Sequence, residues 1–206
     1  MIGILQYLDT PTTRLEWTLA LTCAATGMRG DEIFGLKWQD INFNDGRIKI
    51  CRGWSKGVET EGKNPGSMTS VAMHPALAAY LKEWRQASLY AHESHWVFPS
   101  TDAKGHIPRA ASTMAKKYLR PAAVSAGVLA EEDMHTRFGW HSLRHSLATY
   151  FGSLNVPVTV VQRALRHASS RMTARHIHAV PTQQEQLQGA FLEALKLSVG
   201  VKTGVN

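Results

Sequence analysis

Apolar residues recur at helical spacing along most of this chain and yield to strand-like alternation in one stretch only, between the tight turn at Asn44-Asp45-Gly46 and His74. Leu15, Leu19, Thr22, Cys23 and Thr26 keep helical spacing over residues 13–26, and Gly27 ends the run. A second short helix is predicted around Glu32, Ile33 and Leu36. The Asp-Gly pair signals a hairpin, so strands should flank it. Arg47 to Arg52 alternates polar and apolar as a half-buried strand does, and Met68 to His74 repeats the pattern more weakly. The glycine-rich SKGVETEGKNPG between them reads as a hairpin. Pro75 can open a helix whose buried stripe is Leu77, Tyr80, Leu81 and Trp84. Residues 92–109 read as loop around a short apolar Trp96-Val97-Phe98, and helical patterns resume over 110–127, 142–154, 157–166, 170–178 and 182–197. The predicted fold class is mainly α (α+β) with a small antiparallel β-sheet. Residues 1–206 are expected to form a single domain, with a C-terminal helix and tail over 181–206.

At 206 residues and 44% hydrophobic, the chain can bury a full core. Its net charge of +7 favours a polyanionic partner. Cys23 and Cys51 lack CxxC spacing, so neither a disulfide framework nor a zinc knuckle is indicated, and a reducing compartment fits. The start, MIGILQYLDT, has no charged n-region, and no window reaches the roughly 18 apolar residues that span a bilayer. The expected location is the cytoplasm, with no membrane partner.

Three ordered clusters carry the chemistry. In Thr26 to Ile41, Arg29 follows a glycine turn with Glu32 three residues on; its guanidinium can fork onto two phosphate oxygens while Glu32 orients it. An ordinary surface pair at helical spacing reads equally well there. In Trp140 to Thr149, His141 and Arg144 lie one turn apart on one helix face, where both could grip one phosphate. The plainer reading puts Leu143, Leu147 and Tyr150 in the core and leaves the basic groups in water. In Leu165 to His178, a turn leads to a short helix carrying Thr173, His176 and Ile177.

In this order the clusters resemble the catalytic domain of the tyrosine recombinases, the phage-integrase family. The family's TGxRxxExxxLxWxD motif is matched from Thr26 to Asp40, its HxxR motif by His141 and Arg144, and its LGH and T-x-x-Y-x-H segments by Leu165 to His178. Trp96-Val97-Phe98-Pro99 looks like the family's VFP strand. Ser67 to Met73 looks like its S-x-R-x-V-P-L strand, which puts Lys63 at the β-hairpin lysine, although Lys56 lies in the same loop. The likeness covers nearly the entire chain. Four departures stand out. His176 occupies the position of the nucleophilic tyrosine, with no tyrosine after Tyr150; Arg166 replaces the glycine before His167; Thr69 and Ala72 replace the strand arginine and proline. The helical core-binding domain that usually precedes this one is expected to be absent.

The resemblance implies site-specific recombination of duplex DNA by strand cleavage and religation through a covalent 3′-phosphoprotein link, without a metal or other cofactor. Arg29 and Arg144 would neutralise charge on the phosphoryl oxygens. Lys63 would protonate the departing 5′-oxygen, and His141 and His167 would donate hydrogen bonds or manage the nucleophile's proton. Arg171 and Arg175 join Arg29, Lys63 and Arg144 as implied DNA contacts. A homo-oligomer, a tetramer on DNA, and a prokaryotic or mobile-element origin are implied as well. With histidine at 176, cleavage should be weak or absent. Two other classes fit some of the residues. A non-catalytic DNA-binding module would use Asn155 to His178 as a helix-turn-helix. A metalloenzyme would use His141 and His145 with His167, His176 or His178, but it lacks the glutamate of an HExxH pair.

Overall fold

The computed structural model describes residues 1–61, 69–135, 138–154, 156–166 and 181–194. Its centre is helix α2 (Arg14–Thr26), which follows α1 (Ile2–Leu8) and is buried from Leu15 through Thr26. A helix apolar on all sides belongs inside a core. The hydroxyls of Thr18, Thr22 and Thr26 fit there because each donates to the carbonyl four residues back, at 2.8, 2.7 and 2.6 Å. Gly27 closes the helix at φ +61°, a left-handed conformation that suits glycine, and its amide donates to the Cys23 carbonyl. The short α3 (Gly30–Phe34) follows at once.

Strands β1 (Ile41–Asn42), β2 (Arg47–Ile50) and β5 (Thr69–Ala72) form an antiparallel sheet in the order β1-β2-β5, with Ile48 opposite Val71. The Asp45-Gly46 turn joins its first two strands, as expected. The run from Arg47 to Arg52 is not one strand, however. It breaks at Cys51, and β3 (Arg52–Ser55) pairs with β4 (Val58–Glu61) in a separate hairpin whose two-residue turn is Lys56-Gly57, both at positive φ. The expected strand around Trp96-Val97-Phe98 reduces to single bridges, Lys37 to Trp96 and Pro99 to Pro108. Prolines on both sides of the second bridge have no amide hydrogen with which to extend a ladder.

The β3–β4 hairpin is mounted on the core by charge and stacking. Arg52 donates to Asp40 and approaches Glu59 at 3.3 Å, and Trp54 meets Trp96 edge to face at 5.3 Å. α3 packs directly on β3. At that crossing a Cβ on Gly35 would lie 2.9 Å from the Arg52 carbonyl oxygen and from two Gly53 backbone atoms. Backbone cannot rotate aside as a side chain can, so Gly35→Ala is expected to cost about 1–3 kcal/mol of stability. Urea unfolding measures this, and an unchanged midpoint would mean slack between α3 and β3.

The remaining elements are helical: α4 (Pro75–Ala87), α5 (Ala111–Met114), a π turn over Ala115–Leu119, α6 (Arg120–Ser125), α7 (Trp140–Ser153), α8 (Val158–Ala164) and α9 (Pro181–Ala194). The helix expected over 110–127 is thus interrupted by a π turn, and the one expected over 170–178 lies outside the described residues. α2 touches α1, α4, α7 and α9. α9 covers the outer edge of β5: Gln184 accepts the Ala72 amide at 3.1 Å and Gln188 donates to the Ala72 carbonyl at 2.7 Å. This satisfies an edge strand that would otherwise offer unpaired groups. Phe191 and Leu192 are buried, so α9 packs on its own chain.

Candidate active site

The left-handed turn at Gly27 throws the backbone out of α2, and Arg29 becomes the residue that opens α3. Glu32 reaches back to accept the Arg29 amide at 2.8 Å, satisfying a donor that a helix start leaves free. The Arg29 guanidinium, 37% exposed, donates to Glu32 at 2.9 Å and to the Arg166 carbonyl at 3.1 Å.

Arg144 projects inward from α7 and is 2% exposed. Its two terminal nitrogens donate to the carbonyls of Gly27 and Leu165, so one side chain fastens the end of α2 to the end of α8. Burial, then the positive charges of Arg29 and Arg166, pull its guanidinium down to about 10, which still leaves it charged at neutral pH. The solvated alternative for this residue does not hold. His141, one turn earlier, is exposed and lies edge-on against His145 with ring centroids 4.3 Å apart. Partial burial, then His145, Arg144 and Arg29, push its imidazole below the usual value, so the ring is neutral near pH 7.

Arg166 is the residue whose role the sequence reading left blank. Its backbone is left-handed, φ +55°, where glycine would sit without strain. Its guanidinium forks onto Glu32 at 2.8 and 3.4 Å, and its Nε is buried without a partner. The only hint in the sequence was an arginine where the resemblance calls for glycine. Two guanidinium groups, those of Arg29 and Arg166, thus share the Glu32 carboxylate, and a third, that of Arg144, reaches the Leu165 carbonyl of the same turn. Such a cluster suits a phosphate diester.

Burial alone would raise the Glu32 carboxyl. Arg166 and the Arg29 amide outweigh it and hold it below the usual value. A depressed carboxyl stabilises the fold above the ordinary value of about 4.3 and loses that contribution as pH falls through the lower folded value. Glu32→Gln should therefore flatten the acid limb of stability between about pH 5 and pH 2, as read by urea midpoints across that range. An unaltered acid limb would contradict the role given to this cluster.

Lys63, His167, Arg171, Arg175 and His176 lie outside the described residues; the Leu165-Arg166 turn leads directly into the last four. Lys56, the other candidate for the hairpin lysine, sits in the β3–β4 turn. His141 and His145 are neighbours, but their proposed metal partners His167, His176 and His178 are outside the described residues. Among the described residues no group of three or more His, Cys, Asp or Glu gathers as a metal site, and no helix is long and apolar enough to cross a membrane. Cys23 is buried with its thiol pushed up to about 12, first by burial, and both cysteines are free.

Known proteins resemble this chain along most of its length. The family model of the Phage integrase family matches residues 3–183. A tyrosine recombinase XerC-like protein of Caldanaerobacter subterraneus subsp. tengcongensis is 26% identical over 191 residues, covering 81% of this chain and 46% of that protein. Tyrosine recombinase XerD of Ralstonia nicotianae is 27% identical over 154 residues, covering 75% and 45%. The chain thus spans a little under half the length of these relatives. Among solved structures, the Tn1549 transposon integrase in complex with circular intermediate DNA aligns with a TM-score of 0.64 at 14% identity, over 95% of this chain and 64% of that one. XerA recombinase aligns at 0.58 and 17% identity, over 91% and 61%. At such identities the structures speak for the fold alone, that of tyrosine recombinase catalytic domains. With the family match extending over 181 of the 206 residues (3 through 183), the chain belongs to the phage integrase family of tyrosine recombinases.

Proposed function

We propose that this chain is the catalytic domain of a site-specific DNA recombinase whose nucleophile position is held by His176, and that in this form it binds duplex DNA but cleaves it poorly. The observation that carries the reading is the convergence of Arg29 and Arg144, from separate helices, on the one turn that leads to His167 and His176. A scissile phosphate taking the place of the Leu165 and Arg166 carbonyls would find two guanidinium forks already aimed at it. Those forks stabilise the charge that grows on the phosphoryl oxygens as the nucleophile attacks. The neutral His141 imidazole can donate one hydrogen bond or accept a proton. Lys63 is assigned to protonate the leaving 5′-oxygen, and Arg171 and Arg175 to contact flanking phosphates.

The intermediate is a covalent 3′-phosphoprotein bond that conserves the energy of the diester, so a second strand's 5′-hydroxyl can reverse it. Exchange between two duplexes needs four strand cleavages, which fits the assignment of a tetramer on DNA. The solved Tn1549 integrase and a XerH recombinase are both complexes with DNA, which supports duplex DNA as partner here. The histidine at 176 favours a second reading, a domain retained for binding DNA alone. Covalent trapping on nicked DNA, comparing the chain with its His176→Tyr form, tests the proposal: an adduct formed by the tyrosine form supports an intact recombinase pocket, and its absence favours the binding module.

A further inference from the structure

We propose that Arg166 is a positioning residue: it keeps Glu32 neutralised so that Arg29 is free to turn onto a DNA phosphate. The inference rests on the phosphate-clamp reading above. Both terminal nitrogens of Arg29 are engaged, one by Glu32 and one by the Arg166 carbonyl. To grip a phosphate, Arg29 must release them. Glu32 is only 13% exposed, and a carboxylate abandoned in such a place draws its cation back. Arg166 removes that pull, because its fork covers both Glu32 oxygens while the Arg29 amide stays on one of them.

The position bears two costs that a glycine would avoid: a left-handed backbone and a buried Nε without a partner. Holding the turn does not require them, since the Leu165 and Arg166 carbonyls are already fastened by Arg144 and Arg29. What the arginine adds is a second counter-ion for Glu32. Exposure fits this division of labour, with Arg29 at 37% on the solvent side and Arg166 at 13% behind it.

The test is the affinity of the protein for a mixed-sequence duplex, read by fluorescence anisotropy across a salt series, with thermal melting certifying that each variant is folded. Arg29→Ala is expected to lose about tenfold in affinity and to lower the salt slope by about one. Arg166→Gly, which also relieves the backbone strain, is expected to lose a similar factor, and Arg166→Lys to recover most of it. Adding Glu32→Gln to Arg166→Gly should restore binding, because no carboxylate remains to recapture Arg29. The deciding measurement is the double-mutant cycle. In the Arg29→Ala background, Arg166→Gly should change affinity less than twofold, since its effect passes through Arg29. A further full tenfold loss there would overturn the proposal and leave Arg166 as a diffuse positive charge. Wild-type affinity in Arg166→Gly alone would overturn it too. Wild-type affinity in Arg29→Ala would instead remove the clamp reading beneath it.

Discussion

Arg144→Ala is expected to destabilise the chain by about 3–5 kcal/mol and to abolish any strand cleavage by a tyrosine-restored form. The side chain is 2% exposed and is the link by which the ends of α2 and α8 are held together. Removing it leaves the Gly27 and Leu165 carbonyls without their donor, at about 1–3 kcal/mol each, and opens a cavity where the buried side chain stood. Arg144→Lys should rescue little, because a single ammonium cannot span two carbonyls that a planar fork reaches together. Urea unfolding measures the first effect and covalent trapping in the His176→Tyr background the second. A variant within about 1 kcal/mol of wild type would show that Arg144 does not bolt the two helix ends together. The pairing of effects matters: this residue braces two helix ends and, by the proposal, is catalytic on DNA. Loss of cleavage must therefore be read in variants still folded at the assay temperature.

The second large effect concerns position 176. By the proposal, His176→Tyr should convert a chain that forms little or no covalent DNA complex into one that traps a nicked duplex of its recombination site, with a gain of at least about a hundredfold. An imidazole is a competent nucleophile at phosphorus, with an ordinary value near 6.5, but it is shorter than a phenol. Losing even ~1 Å of alignment costs on the order of a hundredfold in rate. The two adducts are chemically distinguishable: a phosphoramidate on histidine is acid-labile, whereas a phosphotyrosine link survives. An acid-labile adduct on the His176 form would make this histidine a true nucleophile and overturn the cleavage-deficient reading.

Much of the fold was legible because local rules dominate where elements are short. The glycine stop after α2, the Asp45-Gly46 turn, the proline start of α4 and the stripe that buries Leu77 and Leu81 all follow from neighbours within a few residues. Where pairing partners lie far apart in the chain, the reading fell short. Nothing local in Arg47 to Arg52 says that Arg52 leaves the first sheet; that is decided by Asp40 and Glu59, which draw it into the second hairpin. Nor could periodicity say that Gln184 and Gln188 close the edge of β5.

The site divides in the same way. By itself the sequence determined the family pattern, the identity and order of Arg29, Glu32, His141 and Arg144, and the histidine at 176, because motif spacing is a property of the chain alone. Tertiary structure decided which partners those groups hold. It buried Arg144 between two helix ends, left His141 at the surface, and brought Arg166 across 134 residues of chain to share Glu32 with Arg29. Charge and hydrogen bonding act through space, so which cation a carboxylate holds is settled only when the helices that carry them have packed.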